Sequence, residues 1–169
     1  MKTKENKFMP SLYMMVGIPG SGKSTYVKDF IGSLDRVDNL YIASTDNLIE
    51  YWAQDVGKTY DEIFQKYIGK ATETMFRQVR YAIIAKKDIY WDQTNLTVKT
   101  RAEKLSLFPE GDNKYAVIFP TPPIDVLKQR LDSRPGKNIP WDVVEFMMSQ
   151  YEEPTEDEGF DNIFRGNVA

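Results

Sequence analysis

Gly17-Ile18-Pro19-Gly20-Ser21-Gly22-Lys23-Ser24-Thr25 follows directly on Leu12-Tyr13-Met14-Met15-Val16. The spacing is G-x-x-x-x-G-K-S, placed between an apolar run suited to a buried strand and a helical pattern through Tyr26, Val27, Phe30 and Ile31. Glycines at Gly17, Gly20 and Gly22 let successive N–H groups turn into one concavity. The helix that follows adds the positive end of its dipole, so an anion with several oxygens is favoured there. Pro19, Ser21 and Thr25 complete the cradle. Lys23 would reach the β- and γ-phosphates of ATP, and the Ser24 hydroxyl would be a Mg²⁺ ligand. The plainer alternative is a Gly-rich strand-to-helix turn. Strand, helix and the Lys-Ser pair at the right offset together favour the triphosphate.

Composition narrows the chemistry. A chain of 169 residues is long enough for one α/β domain with a sizeable core. Formal net charge is -3 and the pI about 5.1, so a polyanion site must be a local patch on an acidic body. Cysteine is absent, which excludes disulfides, thiol nucleophiles and Cys-ligated zinc. Histidine is absent too, so base chemistry falls to a carboxylate. No apolar stretch reaches the length of a membrane span and the start carries no signal-peptide pattern, so a cytoplasmic protein without a membrane partner is expected.

Residues 1–10 read as a flexible polar tail and 11–169 as a single domain. After the first strand and helix, Leu40-Tyr41-Ile42-Ala43 suits a second parallel strand. It stops at Ser44-Thr45-Asp46-Asn47, each a good helix cap. Tyr60 to Lys86 is the longest helical stretch, with Ile63, Tyr67, Ala71, Phe76, Val79, Ala82 and Ile83 near helical spacing. Asp88 to Asp92 reads as a third strand, Val98 to Phe108 as a helix and Tyr115 to Phe119 as a fourth strand. A helix carrying Val126, Leu127 and Leu131 breaks at Ser133-Arg134-Pro135-Gly136-Lys137-Asn138. Another restarts at Pro140, and Phe160 to Phe164 forms a last strand. Strands alternating with helices predict a mostly parallel sheet covered on both faces, an α/β/α arrangement.

In open parallel sheets ligands sit beyond the carboxyl ends of the strands. The phosphate loop, Ser44-Thr45-Asp46 and Asp92-Gln93-Thr94-Asn95 all fall there, and Arg130 and Arg134 flank a broken helix able to cover them. Phosphoryl transfer needs an anion cradle, a cation with Mg²⁺, a carboxylate to orient a hydroxyl, and a cation over the γ-phosphate. Asp46 is the candidate for the carboxylate; alternatively it only caps the helix beginning at Asn47. Asp92 is the Walker-B-like candidate for a metal water or the substrate, or else a strand-end Asp supporting its turn. Arg134 beside Pro-Gly is the lid candidate, or a solvated loop arginine.

The series GIPGSGKST, STD, DQTN and R-x-x-x-R, followed by IPWDVVEFMMSQYEEPTEDEGFDNIF, resembles the 5′-hydroxyl polynucleotide kinases of phage and the kinase half of the mammalian kinase-phosphatases. The resemblance runs from about Leu12 to Phe164. It implies a P-loop NTPase fold of the adenylate-kinase-like group with a helical lid. It also implies ATP and Mg²⁺ as cofactors, and transfer of the γ-phosphate to 5′-OH ends of DNA or RNA. By the resemblance Asp46 is the general base, Lys23 and Ser24 bind phosphate and metal, and Arg134 bridges donor phosphates with Arg130 in support. Asp92, Thr94 and Asn95 match the acceptor-side D-x-T-N segment. Phage members often carry an arginine a turn after the base, on the acceptor's 3′-phosphate. Here that residue is Ile49, so Arg77, Arg80 or Arg101 would have to serve; Arg101 is taken as the substrate-binding candidate. A phage-encoded member would act in the host cytoplasm.

Two other readings stay open at this level. One keeps the kinase and changes the acceptor to a nucleoside, sugar or other small hydroxyl compound, which the acidic charge and Ile49 favour. The other is a non-catalytic nucleotide-binding module, against which Lys23, Ser24, Asp46 and Arg134 all speak. Self-association and a separate phosphatase or ligase partner are left open by the sequence.

Overall fold

The computed structural model describes residues 9–34 and 37–166; most of the expected tail, residues 1–8, lies outside them. Five strands form one parallel sheet in the order β2-β3-β1-β4-β5. They are β1 (Ser11–Val16), β2 (Leu40–Ala43), β3 (Asp88–Trp91), β4 (Asn113–Ile118) and β5 (Asn162–Arg165). The helices are α1 (Lys23–Gly32), α2 (Thr45–Asp55), α3 (Tyr60–Ile84), α4 (Val98–Leu105), α5 (Ile124–Asp132) and α6 (Trp141–Ser149). The predicted alternation holds, and so does the three-layer arrangement.

The alternation of β1 explains the layers. Leu12, Met14 and Val16 point to one face, where they pack with Met75 and Val79 of α3 and with Trp91. Met15 points to the other, against Val27, with Tyr26, Phe30 and Ile31 of α1 packed alongside. Successive strand residues face opposite sides, so the unbroken apolar run Leu12–Val16 must be covered on both. At the carboxyl end of the sheet Ile18, Leu96, Leu127, Leu131 and Val144 form a third cluster that seats α5 and α6.

Helix α3 opens with a capping box: Thr59 accepts from the Glu62 amide while Glu62 accepts from the Thr59 amide. Its long apolar stripe is core, as expected. Antiparallel to it, α2 contributes Ile49, fully buried against Ile63 and Ala71. Isoleucine at the turn after Asp46 thus belongs to the α2–α3 hairpin and not to a cavity wall. Among the described residues no helix is long and apolar enough to cross a membrane.

Candidate active site

The phosphate loop leaves β1 at Val16 and enters α1 at Lys23. Gly22 is the helix cap with φ 98°, a left-handed conformation that a side chain would strain. A Cβ on Gly17 would stand 2.8 Å from the Phe119 carbonyl oxygen, so the loop needs glycine there for close approach to β4. The Gly17 amide donates to the Thr94 carbonyl at 3.0 Å, tying the loop to the segment after β3. The Lys23 ammonium donates to the Ile18 carbonyl at 2.7 Å and lies near the Ser21 hydroxyl. Burial pulls Lys23 down to about 8; Asp92 opposes the shift and Arg134 adds to it. Phosphate oxygens brought to this ammonium would restore its ordinary proton affinity.

Asp46 lies one residue inside α2. Ser44, not Asp46, is the cap, and its hydroxyl accepts from the Asn47 amide. That leaves the Asp46 carboxylate free of capping and turned into the cavity. Its Oδ1 accepts from the Tyr60 hydroxyl at 2.7 Å, and its Oδ2 from the Lys137 ammonium at 2.5 Å. Burial and the Asp46 charge push the Tyr60 phenol up, so it remains a donor. Neither partner was among the sequence candidates. Lys137 stands three residues beyond Arg134 in the broken segment, a position that only the fold relates to Asp46.

Asp92 follows the last residue of β3, and its amide donates to the Ala43 carbonyl at 2.9 Å. Burial pushes its carboxyl up, against a hydrogen bond from Ser24 and the Lys23 charge. A hydroxyl and a carboxylate lining one cavity at the end of a phosphate loop are a hard-oxygen donor set. Mg²⁺ usually takes few protein ligands and completes its shell with water and phosphate, so these two residues fit it.

One cavity of about 680 Å³ gathers these groups. Gly20, Gly22, Lys23, Ser24 and Thr25 form its floor, with Asp46, Asp92, Thr94 and Arg134 around it. Phe64 and Ile68 of α3 and Ile139, Val143 and Met147 at and beyond the lid give it an apolar wall. The lid, residues 133–140, is docked on the start of α3. The Asp61 amide donates to Gly136, the Asn138 amide donates to Asp61 Oδ2 at 2.8 Å, and Gly136 sits against Thr59. Arg130 donates to the Gly20 carbonyl at 3.3 Å, bracing α5 on the phosphate loop.

Two substrate-binding candidates stand elsewhere. Arg101 is completely buried behind the site. It forms a bidentate pair with Glu158 at 2.7 and 2.8 Å and donates to the Asn95 and Glu152 carbonyls. Its guanidinium holds the last third of the chain to the loop after β3 and does not face the cavity. Arg101→Met should lower stability by about 3–5 kcal/mol, because the Glu158 carboxylate, only 7% exposed, would lose its counter-charge and keep only the Thr155 amide. Chemical denaturation measures this; an unchanged midpoint with a raised acceptor KM would return Arg101 to substrate binding. Asn95 is likewise a strut. It takes φ 48°, which asparagine tolerates, and donates to the Met15 carbonyl at 2.7 Å. Arg77 and Arg80 stand about 13 Å and about 18 Å further along α3 than Ile68 and are not among the residues that line the cavity.

Lys104 of α4 is a buried cation that the sequence did not flag. Its ammonium donates to two neutral amides, Gln93 Oε1 at 2.8 Å and Asn95 Oδ1, and lies 5.0 Å from the Trp91 ring centre. Gln93 in turn donates to the Thr45 hydroxyl at 3.1 Å, so the chain of bonds ends beside Asp46. Burial pulls Lys104 down to about 7. A lysine with a lowered folded pKa binds its proton more tightly in the unfolded chain. Its cost to stability is therefore full below about 7 and fades as pH rises from there towards the unfolded value. Thermal unfolding should show Tm rising from about pH 7 to 8, and K104M should flatten that rise. An equal slope in both proteins would place the titrating group elsewhere.

A family model described as an AAA domain matches residues 12–154. A chain of the Pnkp1/Rnl/Hen1 RNA repair complex is similar in structure, with TM-score 0.64 and 24% identity over 88% of this chain and 46% of that one. Kti12 of Chaetomium thermophilum, solved with ADP-AlF3, gives TM-score 0.59 at 16% identity over 91% and 87%. A gluconokinase from Sinorhizobium meliloti 1021 gives 0.54 at 15% over 93% and 82%. At such identities these likenesses speak for the fold. The present chain spans less than half the length of the two Pnkp1/Rnl/Hen1 chains it resembles. Phosphate loop, parallel sheet and family match agree: the chain belongs to the AAA-domain family and has the P-loop kinase fold.

Proposed function

We propose that this protein is an ATP-dependent kinase that transfers the γ-phosphate to the 5′-hydroxyl end of a polynucleotide. The observation that carries it is the Asp46 carboxylate on the wall of the same cavity as Lys23, Ser24 and Arg134. The apolar wall of Phe64, Ile68, Ile139, Val143 and Met147 suits the flat face of a nucleobase. The STD, DQTN and lid motifs support the same acceptor, as does the likeness to a chain of an RNA repair complex.

The chemistry follows from the placement. Loop amides and Lys23 hold the β- and γ-phosphates, and Ser24 and Asp92 would hold Mg²⁺, which neutralises phosphate charge. The acceptor hydroxyl hydrogen-bonds to Asp46, and its oxygen attacks the γ-phosphorus in line with the leaving oxygen. The O–P bond to the acceptor forms as the bond to the β-phosphate oxygen breaks. The hydroxyl proton passes to the Asp46 carboxylate, and ADP leaves. Arg134 neutralises charge spread over the equatorial oxygens.

Labelled ATP, Mg²⁺ and a panel of 5′-OH DNA and RNA oligonucleotides test the reading. Label should appear at the 5′ end; none on any oligonucleotide overturns it. A separate phosphatase or ligase would then complete end repair.

The buried Ile49 favours a second reading. With the arginine position filled by a core residue, α2 brings no cation to the cavity for an acceptor phosphate. A nucleoside or another small hydroxyl compound would be phosphorylated in the same way. Salt separates the two: polynucleotide affinity falls steeply with ionic strength, while that of a neutral acceptor hardly moves.

A further inference from the structure

Three elements that are distant in the sequence meet on one carboxylate. Asp46 comes from α2, Tyr60 from the start of α3, and Lys137 from the lid. Tyr60 takes Oδ1 and Lys137 takes Oδ2, so the plane of the carboxylate is fixed from both sides. Lys137 also stands 4.2 Å over the Tyr60 ring and reaches Glu50 at 3.5 Å. A second cavity, of about 620 Å³, shares Ser24, Asp46, Tyr60, Arg134 and Lys137 with the first. The Lys137–Asp46 bridge thus lines both cavities.

We propose that Lys137 is a positioning residue that couples the lid to the base. With the lid docked, its ammonium holds the Asp46 carboxylate in the orientation that meets the acceptor hydroxyl. It also brings Arg134, three residues back on the same segment, over the phosphate loop. This rests on the phosphoryl-transfer reading above but on no particular acceptor. Each carboxylate oxygen has two lone pairs, so both partners can stay while one oxygen also accepts from the acceptor hydroxyl. The bridge ties lid closure to an aimed base: an undocked lid leaves Asp46 held by Tyr60 alone. Water would then compete for the second oxygen.

Wild type, K137M, K137R, D46N and the D46N/K137M double variant decide it. The first readout is amide exchange at Asn138, which donates to Asp61 Oδ2, and at Asp61, which donates to Gly136. K137M and D46N should each speed exchange roughly tenfold, and the double variant no further than either single. Unchanged exchange in D46N overturns the coupling, and this readout needs no acceptor. The second readout is transfer. K137M should lower kcat about 10- to 100-fold with KM for ATP little changed, and K137R should restore most of it. Added to D46N, K137M should cost nothing more. Losses that multiply in full overturn the inference. A wild type inert towards every acceptor overturns the function reading alone, and exchange still decides the role of Lys137.

Discussion

Asp46→Asn should slow phosphoryl transfer by about 10²- to 10⁴-fold, the range for removing a positioned general base. Asparagine has the same shape and can still accept from the Tyr60 hydroxyl, so the α2–α3 junction survives. What disappears is the charge that takes the acceptor proton and attracts Lys137. ATP binding should change far less, because the phosphates rest on the loop amides, Lys23 and Ser24. Single-turnover transfer from labelled ATP measures the first effect and a nucleotide titration the second. Turnover at the wild-type rate would reduce Asp46 to an anchor for the lid. No histidine or cysteine exists to replace it.

Arg134→Ala should cost about 10³- to 10⁵-fold in kcat, the contribution of an arginine that neutralises the transferring phosphoryl group. Arg134 lines both cavities and lies close enough to Lys23 to help depress its proton affinity. Two cations face each other across the place where phosphate oxygens would sit. Arg134→Lys should recover only part of the loss, since a single ammonium cannot span two oxygens as the guanidinium fork does. Stability should hardly move, because the lid is docked through backbone bonds to Asp61 and through Lys137. A normal kcat in Arg134→Ala would make it a solvated loop residue.

Sequence alone determined the layers and the phosphate cradle. Each is written locally: glycine at the turn, lysine and serine at the start of the helix, and strands built on consecutive apolar residues because both faces of the sheet are covered. The position of Asp46 beyond the end of β2 was also legible, since parallel strands deliver their carboxyl ends to one edge. Whether it caps α2 was not, because four cap-forming residues stand in a row and only packing selects Ser44. The third dimension decided what surrounds each charge. Sequence offered Arg101 as a substrate-binding cation and Arg134 as a lid cation. Yet one is consumed by Glu158 and two carbonyls, and the other faces the phosphate loop. Lys104 and Lys137 gave no local signal at all. Their partners lie on other elements, Lys137 ninety-one positions from Asp46. Periodicity records which face of an element is buried; it holds no information on which distant group a buried charge will meet.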